Sequence, residues 1–196
     1  EPDSPVSLQG VHWERVWPAV HLPAWPVQPV LPPGLGAYTT VTQWWNNSWA
    51  IVGDDVYDCN KREGFLRLLP VGDHTDVRIE LAANVHANEV EDRALLERHH
   101  WHLLDPTVVA GTPDAFRRFV QESRGELSAA KPSYVKARAG WISDRTICYL
   151  ASGRPCVVEA TGAEKHLPAS VGLRFFHDAG EAAAALRDVE GDYPAA

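Results

Sequence analysis

Between Glu126 and Gly162 the chain gathers residue types that bind a negatively charged ligand. Lys131, Lys136 and Arg138 fall at the end of an expected strand, Glu126–Ala130, and in the loop beyond it. After Gly140, Ser143 and Asp144 open a helix expected over Asp144–Ser152. The serine supplies an N-cap oxygen, and an acid in the first turn complements the helix dipole. Backbone N–H groups at such a helix start point at anions, and the Ser143 hydroxyl adds a donor. Asp144 suits ribose or sugar hydroxyls as an acceptor. Two roles are open to Arg145: a bidentate clamp on phosphate, or an ion pair with Asp144 or Glu159. The helix stops at Gly153, a glycine suited to the C′ position, and Pro155 prevents continuation. Cys156–Val158 is then a short apolar strand, and Thr161-Gly162 a turn at its carboxyl end. Open α/β sheets bind ligands outside the carboxyl ends of their strands. The segment therefore predicts a diphosphate site at that edge. Lys61 joins it, because a cation in the first turn of a helix opposes the dipole and suits an anionic ligand.

Other clusters carry less. His99, His100 and His102 invite a zinc reading, but neighbouring helical positions point about 100° apart, and no Cys or carboxylate completes a ligand set. Gly34 and Gly36 lack the spacing and the preceding strand of a phosphate loop. Trp44, Trp45 and Trp49 could stack on a base or sugar, or be buried in a core or interface.

The elements that must position these residues alternate. Tyr38–Trp45, Val77–Ala82, Trp101–Leu104 and Leu173–Phe176 join the two strands above. Asn46–Asp58 reads as a polar loop. Asn60 with Glu63 resembles a capping box for a helix whose apolar face is Phe65, Leu66 and Leu69. Glu89–His100 is a polar helix, Thr112-Pro113-Asp114 starts another that runs to about Ser123, and Asp178 with Glu181 caps a last one, Ala179–Val189. This alternation implies an α/β fold, a doubly wound, Rossmann-like parallel sheet covered on both faces. The four strands Tyr38–Trp45, Val77–Ala82, Glu126–Ala130 and Cys156–Val158 should share it.

Residues 1–36 differ in kind. They hold eight of the fifteen prolines together with Trp13, Trp17 and Trp25. Prolines exclude regular helix, while each indole has apolar area to hide. Residues 1–36 are therefore expected to be a connector packed on the domain formed by 37–196. A net charge of −8 argues against a general nucleic-acid binder. No apolar run approaches the ~18 residues of a membrane span. Cys59, Cys148 and Cys156 lack metal spacing and read as reduced thiols, which suggests a cytoplasmic setting. The chain opens Glu1-Pro2-Asp3 and contains no methionine, so an excised piece of a longer protein is expected.

The Ala151-Ser152-Gly153-Arg154-Pro155-Cys156-Val157-Val158 run, followed by Ala160-Thr161-Gly162, resembles the nucleotide-sugar-binding, C-terminal domain of GT-B glycosyltransferases. A closer similarity is to a group of actinobacterial-style putative glycosyltransferases, through Gly140-Trp141-Ile142-Ser143-Asp144-Arg145 and Tyr149-Leu150-Ala151-Ser152-Gly153-Arg154-Pro155, with weaker motifs at Tyr38-Thr39-Thr40-Val41 and Asn60-Lys61-Arg62-Glu63-Gly64-Phe65. The resemblance spans roughly Gly36 to Asp188. It implies one half of a two-domain enzyme that transfers a glycosyl group from a UDP- or dTDP-sugar without a metal or other cofactor. The acceptor site and usually the base lie on a missing N-terminal domain. Lys61, Lys131, Arg138, Gly140, Ser143, Asp144 and Arg145 would hold the nucleotide diphosphate, and Thr161, Gly162, Glu164 and His166 would face the donor sugar. Two glutamates of many retaining enzymes are replaced here by Gly140 and Cys148. Asp144 is the nearest acid. A nucleotide-sugar epimerase of the same fold, or a non-catalytic nucleotide-binding or protein-interaction module, are the alternative readings.

Overall fold

The computed structural model describes residues 4, 10–52, 54–167, 169–170 and 172–195. Six strands form one parallel sheet: β1 (Tyr38–Thr42), β4 (Ile79–Ala83), β5 (Trp101–Leu104), β6 (Gly125–Ser128), β7 (Cys156–Glu159) and β8 (Leu173–Phe176). Their order is β5-β4-β1-β6-β7-β8. With the remaining strands, β2 and β3, set aside, that is third, second, first, fourth, fifth, sixth, the order of a Rossmann-like doubly wound sheet. Register is continuous across the centre: Tyr38 is level with Ile79 on one side and Gly125 on the other. The four segments expected to share a sheet do share it. Chain direction reverses its progress between β1 and β6, which makes the crevice outside their carboxyl ends the switch point where such folds bind ligands.

Both faces of the sheet are covered, so strands bury alternate residues in different layers. In β7, Val157 joins a core with Tyr38, Phe65, Leu68, Leu96, Trp101 and Leu186. Its neighbours Cys156 and Val158 join a second core with Val120, Ile142 and Tyr149. The first layer is closed by α1 (Arg62–Leu68), α2 (Val90–Arg98) and α7 (Ala179–Gly191); the second by α4 (Pro113–Glu122) and α6 (Asp144–Ala151). Three expected caps form: Thr112 accepts from the Ala115 amide at 3.1 Å, Ser143 from the Arg145 amide at 3.3 Å, and Asp178 from the Glu181 amide at 2.9 Å. Gly153 follows α6 with φ +70°, the left-handed C′ position that glycine adopts without steric cost.

Three local readings are corrected. Segment 46–58 is not a loop throughout: β2 (Trp49–Val52) and β3 (Asp55–Asp58) pair antiparallel, Ile51 opposite Val56. Asn60 does not cap α1. Its side-chain Oδ1 instead accepts from the Asn46 backbone amide, and Lys61 takes the cap position with no side-chain bond to the helix. Lys131-Pro132 ends a strand but also starts a helix, α5 (Pro132–Lys136), with proline in its first turn. One further short helix, α3 (Pro106–Val109), precedes α4.

Residues 10–36 wrap the second layer. Trp25 meets Phe116 edge to face at 5.8 Å, the Gln28 amide donates to the Ser152 carbonyl at 2.9 Å, and buried Arg154 donates to the Pro29 carbonyl at 3.1 Å. No helix of the described residues is long and apolar enough to cross a membrane.

Candidate functional site

The carboxyl edge is shaped by a close approach of α1 to the loop after β6. A Cβ at Gly64 would stand 2.6 Å from the Ala130 carbonyl oxygen, so only glycine lets the helix sit there. That approach carries Lys61 to the switch point. Its ammonium donates to the Ala129 carbonyl at 3.1 Å and lies 5.2 Å over the Trp141 ring. Lys61 is only 8% exposed. Burial, with Arg145 and Lys131 nearby, pulls its pKa down to about 7. Glu159 stands beside it, accepting from the Ala130 amide at 2.9 Å and from Arg67 at 3.1 Å.

Arg145 fills the crevice between β1 and β6. Its guanidinium donates to Glu126 Oε1, the Val41 carbonyl and Ser128 Oγ, each at 2.7 Å. Burial works against this charge, but Glu126, by charge and hydrogen bond, together with Tyr149 and Asp144, outweighs it and holds the Arg145 pKa above its ordinary value. The ion pair read for Arg145 is therefore made with Glu126, not with Asp144 or Glu159, and these three bonds direct its guanidinium to the sheet. The partner, Glu126, is fully buried within a central strand. An unpartnered carboxylate there would be prohibitive, so the arginine is held by the interior.

A cleft of about 760 Å3 opens beside the start of α6. Tyr134, Trp141 and Asp144 line it together with Trp13, Arg15 and Trp17 from the N-terminal segment. Of the residues singled out from sequence, Gly140 and Asp144 line this cleft. Ser143 is buried as the helix cap: its hydroxyl accepts from the Arg145 amide at 3.3 Å, and Asp144 Oδ1 accepts from the same amide at 3.0 Å. Thr161, buried, braces the loop, donating to the Trp141 carbonyl at 2.5 Å while the Gly140 amide donates to the Thr161 carbonyl at 2.8 Å. The Gly162 amide is taken by Glu164 at 2.9 Å. His166 is exposed beyond the short turn Ala163–Lys165. Lys131 is half-buried with its ammonium 5.5 Å over the Tyr134 ring, and Arg138 is exposed two residues beyond α5, next to Ala139 of the cleft lining.

No protein family matches this chain, and no curated protein matches its sequence. The geometry must carry the chemistry. Asp144 presents an exposed carboxylate at a helix start, Tyr134 and Trp141 present aromatic surface with rings 5.0 Å apart, and cations stand on the adjoining loop. Such a cleft accepts a ligand with a ring, hydroxyls and an anionic group. Among the described residues no group of three or more His, Cys, Asp or Glu is placed to hold a metal ion. His99 instead pairs with Asp73 at 2.6 Å. The aromatic lining escaped sequence reasoning. Trp141 sits within the quoted motif, yet nothing in its spacing separates a cleft wall from a core residue.

Proposed function

We propose that this chain is the nucleotide-sugar-binding domain of a GT-B glycosyltransferase, taking a UDP- or dTDP-sugar and releasing its glycosyl group to an acceptor held on a separate N-terminal domain. The observation that carries this reading is the ligand-sized cleft beside the start of α6, at the carboxyl edge of a sheet with nucleotide-binding strand order. In it, Asp144 accepts from ribose hydroxyls and Arg138 and Lys131 attract the diphosphate, whose developing charge as leaving group is stabilised by fixed cations. Lys61, behind the Trp141 ring, adds positive potential without direct contact. Calorimetry with UDP, dTDP and inorganic pyrophosphate tests the assignment. Asp144→Ala should weaken the nucleotides more than pyrophosphate, Arg138→Ala should weaken all three, and EDTA should change nothing. Equal losses for all three ligands in Asp144→Ala reduce that residue to a helix-terminal charge. No binding of any nucleoside diphosphate removes the reading.

One observation favours a second reading, a protein-interaction module. The β2–β3 hairpin turns Trp49, Ile51 and Val56 to solvent on one face, more apolar surface than a lone hairpin needs to expose. Substitution of Trp49 and Ile51 by Ser would leave nucleotide binding intact under the first reading.

A further inference from the structure

We propose that residues 25–33 are a preordered polyproline II ridge that docks in the aromatic-lined groove of a partner protein. The proposal does not depend on the nucleotide reading and uses none of the β2–β3 hairpin. Pro23, Pro26, Pro29 and Pro32 recur at every third residue, the period of a polyproline II helix. Each proline has its φ fixed, and Trp25, Gln28 and Leu31, each standing before a proline, are driven to extended backbone. Burial follows the same period. Trp25, Gln28 and Leu31 are half-buried, while Pro26, Val27, Pro29, Val30, Pro32 and Pro33 are exposed. A β-strand would alternate every second residue. One face of the ridge is therefore seated on the domain and two face solvent. On the seated face Trp25 packs against the second core, Leu31 against the first, and the Gln28 amide is bonded to the Ser152 carbonyl.

The outward faces say what would cover them. Val27 is 75% exposed and Val30 56%, each directly after an exposed proline. Proline and a neighbouring apolar residue, repeated turn by turn, are what grooves lined with aromatic rings take from proline-rich ligands. Such grooves also carry indole N–H and phenol O–H donors. The Val27 and Val30 carbonyls, one turn apart, have no hydrogen-bond partner among the described residues and are open to them. The Pro29 carbonyl, by contrast, is held by Arg154. Because the fold already keeps this backbone extended, docking costs little further conformational entropy. Residues 16–60 contain neither lysine nor arginine, so the ridge attracts neither an anionic membrane nor nucleic acid. Those cations are what the two surfaces require, and a protein groove does not.

The full chain is to be titrated by calorimetry against a panel of purified SH3, WW and EVH1 domains, which read polyproline II through different aromatic grooves. At least one should bind, and a polyproline peptide should compete for it. Val27→Asp together with Val30→Asp should weaken that binding by roughly tenfold or more, since each carboxylate would be stripped of water against aromatic rings. Pro29→Ala, which keeps the carbonyl that Arg154 holds, should weaken it as well. All three residues are exposed, so thermal melts should coincide with the parent's. Trp49→Ser with Ile51→Ser, on the hairpin, should leave the affinity unchanged. Binding by none of the domains overturns the ridge, as does binding that survives Val27→Asp with Val30→Asp. Loss of binding in the hairpin variant with the ridge variants unaffected assigns the partner to the hairpin, and overturns it too. Failure of UDP to bind removes the nucleotide reading and leaves the ridge standing.

Discussion

At the scale of residues, two buried cations at the switch point do opposite things. Arg145 is matched by Glu126 inside the sheet. Removing one member of such a pair strands a buried charge at about 3–5 kcal/mol, whereas an apolar replacement of both is far milder. Glu126→Leu and Arg145→Met should each cost about that much, and the double variant much less than the sum; urea unfolding of the four proteins measures it, and simple additivity would refute the pairing. Lys61 has no such match. Its pKa falls from 10.5 to about 7 mainly through burial. Between those values the unfolded chain binds a proton that the folded chain does not, so stability rises with pH across that window, by at most about 1.4 kcal/mol per pH unit. Lys61→Met removes this dependence. Urea midpoints at pH 6.5, 8 and 9.5 should therefore move in favour of the parent relative to Lys61→Met as pH rises, and parallel profiles would contradict the depressed pKa. The depressed value was not legible in the sequence, where Lys61 reads only as a cation in a helix's first turn. Its cause is tertiary: the 129–130 loop and Trp141 close over it.

At the scale of elements, legibility followed local chemistry. Trp101–Leu104 and Leu173–Phe176 have their expected bounds, as do the starts of α4, α6 and α7, because strand composition and capping side chains act over a few residues. The misses have physical causes. Trp49, Ile51 and Val56 alternate around Gly53-Asp54, a hairpin signal, but Asn and Asp residues beside them masked it. Asn60 was a sound cap candidate until a distant amide, that of Asn46, competed for its oxygen. The helix α1 is instead held by packing, and Gly64 is its closest point to the sheet edge. Gly64→Ala should force α1 off the Ala130 carbonyl, cost about 2 kcal/mol as overpacking does, and lift the Lys61 pKa toward its ordinary value by admitting water. A melting temperature equal to the parent's would show that the approach is slack.

At the scale of the whole molecule, the doubly wound sheet was readable from alternation alone, but the cleft was not, because part of its lining comes from a segment distant in sequence. If the glycosyltransferase reading holds, a 196-residue chain carrying only the donor side should show no transferase turnover: a misplacement of about 1 Å can cost roughly a hundredfold, and an absent acceptor domain more. The N-terminal segment, by contrast, belongs to the fold. Buried Arg154 and Arg124 direct guanidinium hydrogens to the carbonyls of Pro29, Pro32 and Leu35, at 3.1, 2.9 and 3.2 Å. Trp17 and Trp25 cover the second core beside Phe116 and Ile147. Bonds to charged groups are worth about 1.5–3 kcal/mol each, and stranding buried donors adds to the loss. Removal of residues 1–36 should therefore lower stability by about 3 kcal/mol or more and expose an apolar face that binds a hydrophobic dye. Arg154→Ala, which breaks one tie and leaves the segment in place, should fall between the parent and the truncation. A truncated chain with the parent's urea midpoint would mean that the segment merely lies on the surface.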